Sequence, residues 1–166
     1  MVTLLAIPLF IVLGIFQSAV VSRLPLLHGT ADLILLVVIA WALQERVRSA
    51  WQWALIAGLV IGYLSALSLI IPVTGYLLVT AMALLLRQRV WQVPILAMLA
   101  VTFIGTLLIN IITAIYLNII GTPLPILETL NLIILPSTIL NLILSIPIYA
   151  LVKDFAEWVY PEEIDL

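Results

Sequence analysis

The sequence predicts an all-α, polytopic membrane protein: a compact bundle of about six transmembrane helices with both termini on the inner side. Three observations carry this. Of its 166 residues 66% are hydrophobic and only 8% are charged, and a chain this small cannot hide that much apolar surface from water because its surface is large relative to its volume. The apolar residues run continuously and do not alternate, which selects helices over barrel strands as the structures able to satisfy every backbone polar group in lipid. The breaks between runs are short, and the cations gather in alternate breaks, as the positive-inside rule requires.

Taken in order, the apolar runs cover residues 3–21, 31–43, 51–70, 73–86, 93–119 and 132–152. No Lys or Arg precedes the first, and it is longer than the core of a secretory signal, so it reads as a retained helix. Arg23, Pro25 and His28–Gly29–Thr30 separate it from the second run. The second and fourth runs fall short of the roughly 20 residues a straight crossing needs; the fifth is long enough to tilt. Pro72 and Gly75 mark a tight return between the third and fourth, and Gly121–Thr122–Pro123–Leu124–Pro125 ends the fifth. The domain reading is one membrane domain over residues 1–152 and a short acidic inner tail over 153–166.

Threading six spans from an inner N-terminus places Arg46, Arg48, Arg87, Arg89 and Lys153 inside and Arg23 alone outside. Trp41, Trp51, Trp53, Trp91 and Trp158 all fall near inner helix ends, where indole rings commonly sit at the headgroup level.

The chemistry available is limited by what is missing. There is no cysteine and a single histidine, His28. Thiol chemistry and histidine-pair metal sites therefore lack their groups. No metalloprotease, nucleophile-elbow or phosphate-loop motif is present. Net charge is −2 with no basic tract, which argues against a nucleic-acid partner. Asp32 and Glu128 read as outer-rim residues, leaving no titratable group at mid-span. The expectation is a non-enzyme without metal or cofactor.

Uncharged polarity recurs at helical spacing instead. Thr102, Thr106, Asn110 and Thr113 share one face of the fifth run, and Asn131, Thr138, Asn141 and Ser145 one face of the sixth. Gly14, Gln17 and Ser18 close the first, and Gly58 and Gly62 form a small-residue step in the third. Such residues let helices approach and hydrogen-bond across a seam. Two readings stay open for the stripes: bundle interior, or a polar cavity or docking groove. Asp32 at the start of the second run suits the positive end of a helix dipole, with Arg23 as a nearby partner. The apolar loop through Glu128 to Asn131 reads either as an interface anchor or as a protein-binding rim.

Several of these motifs together resemble the bacterial rod-shape-determining protein MreD family, from Phe16 to Phe155. They are Phe16–Gln17–Ser18, then Gly29–Thr30–Ala31–Asp32–Leu33–Ile34–Leu35–Leu36, then Gly58 and Gly62–Tyr63–Leu64, then Gly75 opening a helix, and finally Leu135–Pro136 with Asn141, Pro147 and Tyr149. Ala31 stands where the family commonly has Pro, and Ala66 near the place of a common Asp. The resemblance implies a fold similar to the substrate-binding membrane subunits of energy-coupling-factor transporters. It also implies a non-enzymatic place in the inner-membrane cell-elongation machinery. There an MreC-like single-span protein is the partner, with RodA, a penicillin-binding transpeptidase and MreB as further members. On that reading the partner meets an outer groove built from Gln17, Arg23, Asp32, Pro123, Pro125, Glu128 and Asn131, while Gly58, Gly62, Gly75, Asn110 and Asn141 pack the helices. The alternatives are a vitamin-binding transporter subunit of the energy-coupling-factor type and an accessory bundle of another membrane complex.

Overall fold

The computed structural model describes residues 2–19, 30–65, 67–89, 93–122 and 125–161. Arg23, His28, Trp91, Pro123, Glu162, Glu163 and Asp165 lie outside the described residues. The described residues form an all-α structure of six helices. They are α1 (Val2–Ala19), α2 (Leu33–Leu43), α3 (Ala50–Leu64), α4 (Ile70–Arg89), α5 (Pro94–Ile119) and a last helix, α6, in three continuous parts: Ile126–Thr129, a π turn over Leu130–Ile134, and Leu135–Val159. Four of them, α1, α4, α5 and α6, are long and apolar enough to cross a bilayer. The chain is therefore a multi-pass membrane protein.

The centre of the bundle is its shortest helix. Every residue of α2 is buried, and α2 touches all five other helices. Its sequence explains this: eleven apolar residues without one polar face make a helix that is hydrophobic all round, which belongs in an interior. At 1.5 Å per residue it is about 16 Å long, roughly half the hydrocarbon thickness.

The fourth run is not short. Helix α4 begins at Ile70 and ends at Arg89, and the return expected at Pro72 and Gly75 lies earlier, at residues 65–69. Pro72 sits in the first turn of α4, where its missing N–H costs nothing. Helices α3 and α4 pair closely across this return. A Cβ added at Gly58 would lie 2.7 Å from the Val73 Cα, and one at Gly62 would lie 2.6 Å from the Leu69 side chain. Gly75 faces Ile109 of α5.

Helix α5 opens on Pro94 and closes on Gly121, whose φ is +83°. The Thr122 N–H donates to the Leu117 carbonyl at 3.0 Å and the Gly121 N–H to the Asn118 carbonyl at 3.2 Å, the paired bonds of a Schellman closure. Gly121→Ala puts a side chain into left-handed backbone. It should lower stability by about 1–2 kcal/mol, read as a drop in unfolding midpoint in detergent; an unchanged midpoint would show that the strained turn relaxes freely.

The π turn in α6 has a local cause. Pro136 lacks an N–H and its ring crowds the carbonyl four residues back; the Leu135 N–H accordingly reaches back five residues to the Leu130 carbonyl. Helix α6 then runs past its expected end at residue 152 to Val159. Residues 153–159 are thus helix, with Val152 and Ala156 buried. The tryptophans divide. Trp51 and Trp158 are exposed, but Trp41 and Trp53 are fully buried and stack at 4.1 Å between ring centroids. Phe10 and Phe155 join them. Trp41 and Trp53 therefore face the protein interior and not lipid: α2 is central, so its last turn packs against its neighbours.

Candidate functional site

A helix buried at both ends must find partners for its terminal backbone groups within the protein. The start of α2 does so completely. Asp32 is the N-cap residue, and its Oδ1 accepts the Leu35 N–H at 3.0 Å. The Leu33 and Ile34 N–H groups donate to Gln17 Oε1 from α1, at 2.9 and 3.4 Å. The Asp32 N–H donates to Asn141 Oδ1 from α6 at 2.8 Å.

The network extends outward from these caps. The Tyr76 hydroxyl, from α4, donates to the Asp32 carboxylate, 2.7 Å from Oδ2 and 2.8 Å from Oδ1. Asn141 Nδ2 donates to Thr106 Oγ1 of α5 at 3.0 Å. Two residues before Asp32, the Thr30 N–H donates to Ser137 Oγ of α6 at 3.0 Å. Helices α1, α4 and α6 thus tie the first turn of α2 directly, and α5 holds Asn141 in place through Thr106. A cavity of about 150 Å³ adjoins the network, lined among others by Gln17, Asp32, Asn110, Ser137 and Asn141. It is polar and holds the volume of about five waters.

Of the residues singled out from sequence, Gln17, Asp32, Asn110 and Asn141 come together here. Asn110 turns its amide back to the Thr106 carbonyl at 2.8 Å and does not meet Asn141 directly. Pro125, Glu128 and Asn131 are exposed and do not line this cavity. Their stretch instead borders a largely apolar groove of about 460 Å³ between α5 and α6, walled by Ile111, Ile115, Asn118, Thr129 and Leu130. Gln17 and Asp32 on one side, and Pro125 to Asn131 on the other, are therefore separate surfaces. Gly58 and Gly62 lie on the α3–α4 seam and Gly75 on the α4–α5 seam. Arg23 and Pro123 lie outside the described residues.

Sequence reasoning missed Tyr76 and Arg87. Tyr76 follows Gly75 in an apolar run, with no periodic signal pointing to an acid 44 residues away. Arg87 reads as a topology-setting cation. In the fold it performs at the other end of α2 what Asp32 performs at the start. Its Nη1 donates to the carbonyls of Ala42, Gln44 and Val47 at 3.2, 2.8 and 3.2 Å. Helix α4 therefore grips α2 at both ends, by Tyr76 and by Arg87, and the two helices run in the same direction.

Chemically, the Asp32 cluster binds and positions. Its carboxylate accepts from a backbone amide and a phenol, and its amides bridge helices. Among the described residues no three His, Cys, Asp or Glu side chains come together as a metal site. No family model matches the chain, and neither does any curated protein or solved structure.

Proposed function

We propose that this chain is a non-enzymatic membrane scaffold of the MreD kind, acting in the bacterial inner membrane within the cell-elongation machinery of peptidoglycan synthesis. Its direct partner on this reading is an MreC-like single-span protein, with RodA, a penicillin-binding transpeptidase and MreB in the wider assembly. One observation supports it most: Gln17, Asp32 and Asn141 come from three separate motifs of the resemblance and meet at one helix end. Polar groups spent on positioning a buried helix suit a molecule that acts by the shape it offers to neighbours.

The surface assigned to the partner is the exposed rim of Pro125, Glu128 and Asn131 beside the apolar groove between α5 and α6. Apolar grooves with a polar rim suit protein contact. The orientation that goes with this reading puts Arg46, Arg48, Arg87, Arg89 and Lys153 on the cytoplasmic side. The vitamin-transporter alternative fits less well: binding cavities for such ligands span about 300–1,000 Å³ with several placed polar groups, whereas the polar cavity beside Asp32 is about 150 Å³ and the groove of about 460 Å³ between α5 and α6 is largely apolar.

The test is co-purification of the full chain with a co-expressed MreC-like protein. A complex that survives dilution in detergent is the expected outcome, and Glu128→Lys with Asn131→Lys should release the partner without moving the unfolding midpoint. A pair that separates freely at low concentration removes the scaffold reading.

A further inference from the structure

The end of α2 opposite Asp32 opens into a second cavity, of about 220 Å³, between the ends of α2, α4, α5 and α6. Its walls carry three cations, Arg46, Arg87 and Lys153, and two carboxylates, Glu45 and Glu157. Lys153 and Glu157 pair with each other at 3.8 Å, both side chains more than half exposed. Arg46 donates from Nη1 to the Tyr160 carbonyl at 3.2 Å.

Arg87 stands apart from these. It is half-buried and meets no carboxylate among the described residues. All three of its bonds leave from Nη1 and end on neutral carbonyls. A guanidinium carries five N–H groups in a planar fork, so Nε and Nη2 remain to donate elsewhere. Carbonyls orient the group but do not balance its charge, and a half-buried cation without a counter-charge favours an anion beside it. The fork matches the oxygens of a phosphate in a two-pronged geometry.

From this we propose that the cleft binds a singly charged phosphodiester, anchored by Arg87 and flanked by Arg46 and Lys153. Arg87 brings one positive charge balanced only by neutral carbonyls among the described residues, which suits a monoanion better than a dianion. The cavity equals about seven waters in volume, room for a phosphate and the first atoms of its ester. It sits where three bilayer-length helices end, which is the level of lipid headgroups. The same chemistry has two sources, a phospholipid headgroup or a soluble phosphate. This inference does not depend on the scaffold reading.

The experiment is native mass spectrometry of the full chain in detergent, titrated with phosphatidylglycerol, diacylglycerol (which has no phosphate) or inorganic phosphate. Wild type should retain one phosphatidylglycerol about tenfold more strongly than diacylglycerol, the size expected of one charge-assisted contact. Arg87→Gln should abolish the preference, and Lys153→Gln should weaken it several-fold. Lys153 caps no helix, so its variant keeps the test meaningful where Arg87→Gln fails to fold. If millimolar inorganic phosphate displaces the lipid from wild type but not from Lys153→Gln, the site is a phosphate site with a soluble source available to it. Equal retention of both lipids by wild type, or undiminished phosphatidylglycerol preference in Lys153→Gln, overturns the proposal.

Discussion

Asp32→Ala should lower the stability of the detergent-solubilised protein by about 2–4 kcal/mol, while Asp32→Asn should cost far less. The alanine variant loses a helix cap, worth about 1 kcal/mol in ordinary settings. It also strands the Tyr76 hydroxyl, fully buried, whose only bonds among the described residues run to this carboxylate. A buried donor left without an acceptor costs about 1–3 kcal/mol. Asparagine keeps an oxygen in the same place, able to accept from both the Leu35 N–H and the Tyr76 hydroxyl. Thermal unfolding followed by tryptophan fluorescence reads the difference, because Trp41 of α2 stacks on Trp53 of α3 and separates when α2 leaves its seat. If the alanine and asparagine variants melt together, the Tyr76–Asp32 contact contributes nothing to holding α2.

The other large effect belongs to the α3–α4 seam. At Gly58 the obstruction to a side chain is backbone, the Val73 Cα and N at 2.7 and 3.1 Å from a built Cβ. Neither atom can rotate away, so the helices must separate. Gly58→Ala should cost about 1–3 kcal/mol, in the range of overpacked cores, and Gly58→Leu should yield no folded monomer. Gly75→Ala is the control. Its nearest neighbour is the Ile109 side chain at 3.2 Å, which can turn, and replacing a helical glycine by alanine gains up to about 1 kcal/mol. Unfolding midpoints should therefore rank Gly75→Ala near wild type and Gly58→Ala well below. Equal shifts would mean that the seam at Gly58 is as compliant as that at Gly75.

The helical class was legible because hydrophobicity is a bulk signal, read equally well from any of the long runs. Ends were harder. Pro72 and Gly75 look like a turn in sequence, yet both are compatible with a helix: one in its first turn, the other against a neighbour that needs no space filled. The break at residues 65–69 is less marked, since Ser65 and Ser68 are its only polar members. Residues 43–49 carried their charge signal plainly, but charge alone said nothing of Arg87 reaching across to the carbonyls of Ala42 and Gln44. At the candidate site, Gln17, Asp32 and Asn141 stood out because amides and acids are rare in apolar runs. Tyr76 did not, since a tyrosine among leucines reads as packing. The buried tryptophans show the same limit. Trp41 and Trp53 lie close to cations in sequence, where indoles usually face headgroups, and only the depth of α2 turns them inward. Depth is a property of which helix becomes central, and no local pattern reports that.

The span from Tyr76 to Arg87 is eleven residues on α4, and the span on the α2 side from Asp32 to the carbonyls that Arg87 holds is ten at Ala42 and twelve at Gln44. Two parallel rods fastened at matching rungs measure each other. One extra residue inserted in either would displace its far fastening by about 1.5 Å and swing it about 100° around the axis, so that one end or the other must let go. Insertions and deletions are thus forbidden singly in these two helices and admissible only as matched pairs, a covariation in length that substitution patterns alone would never reveal.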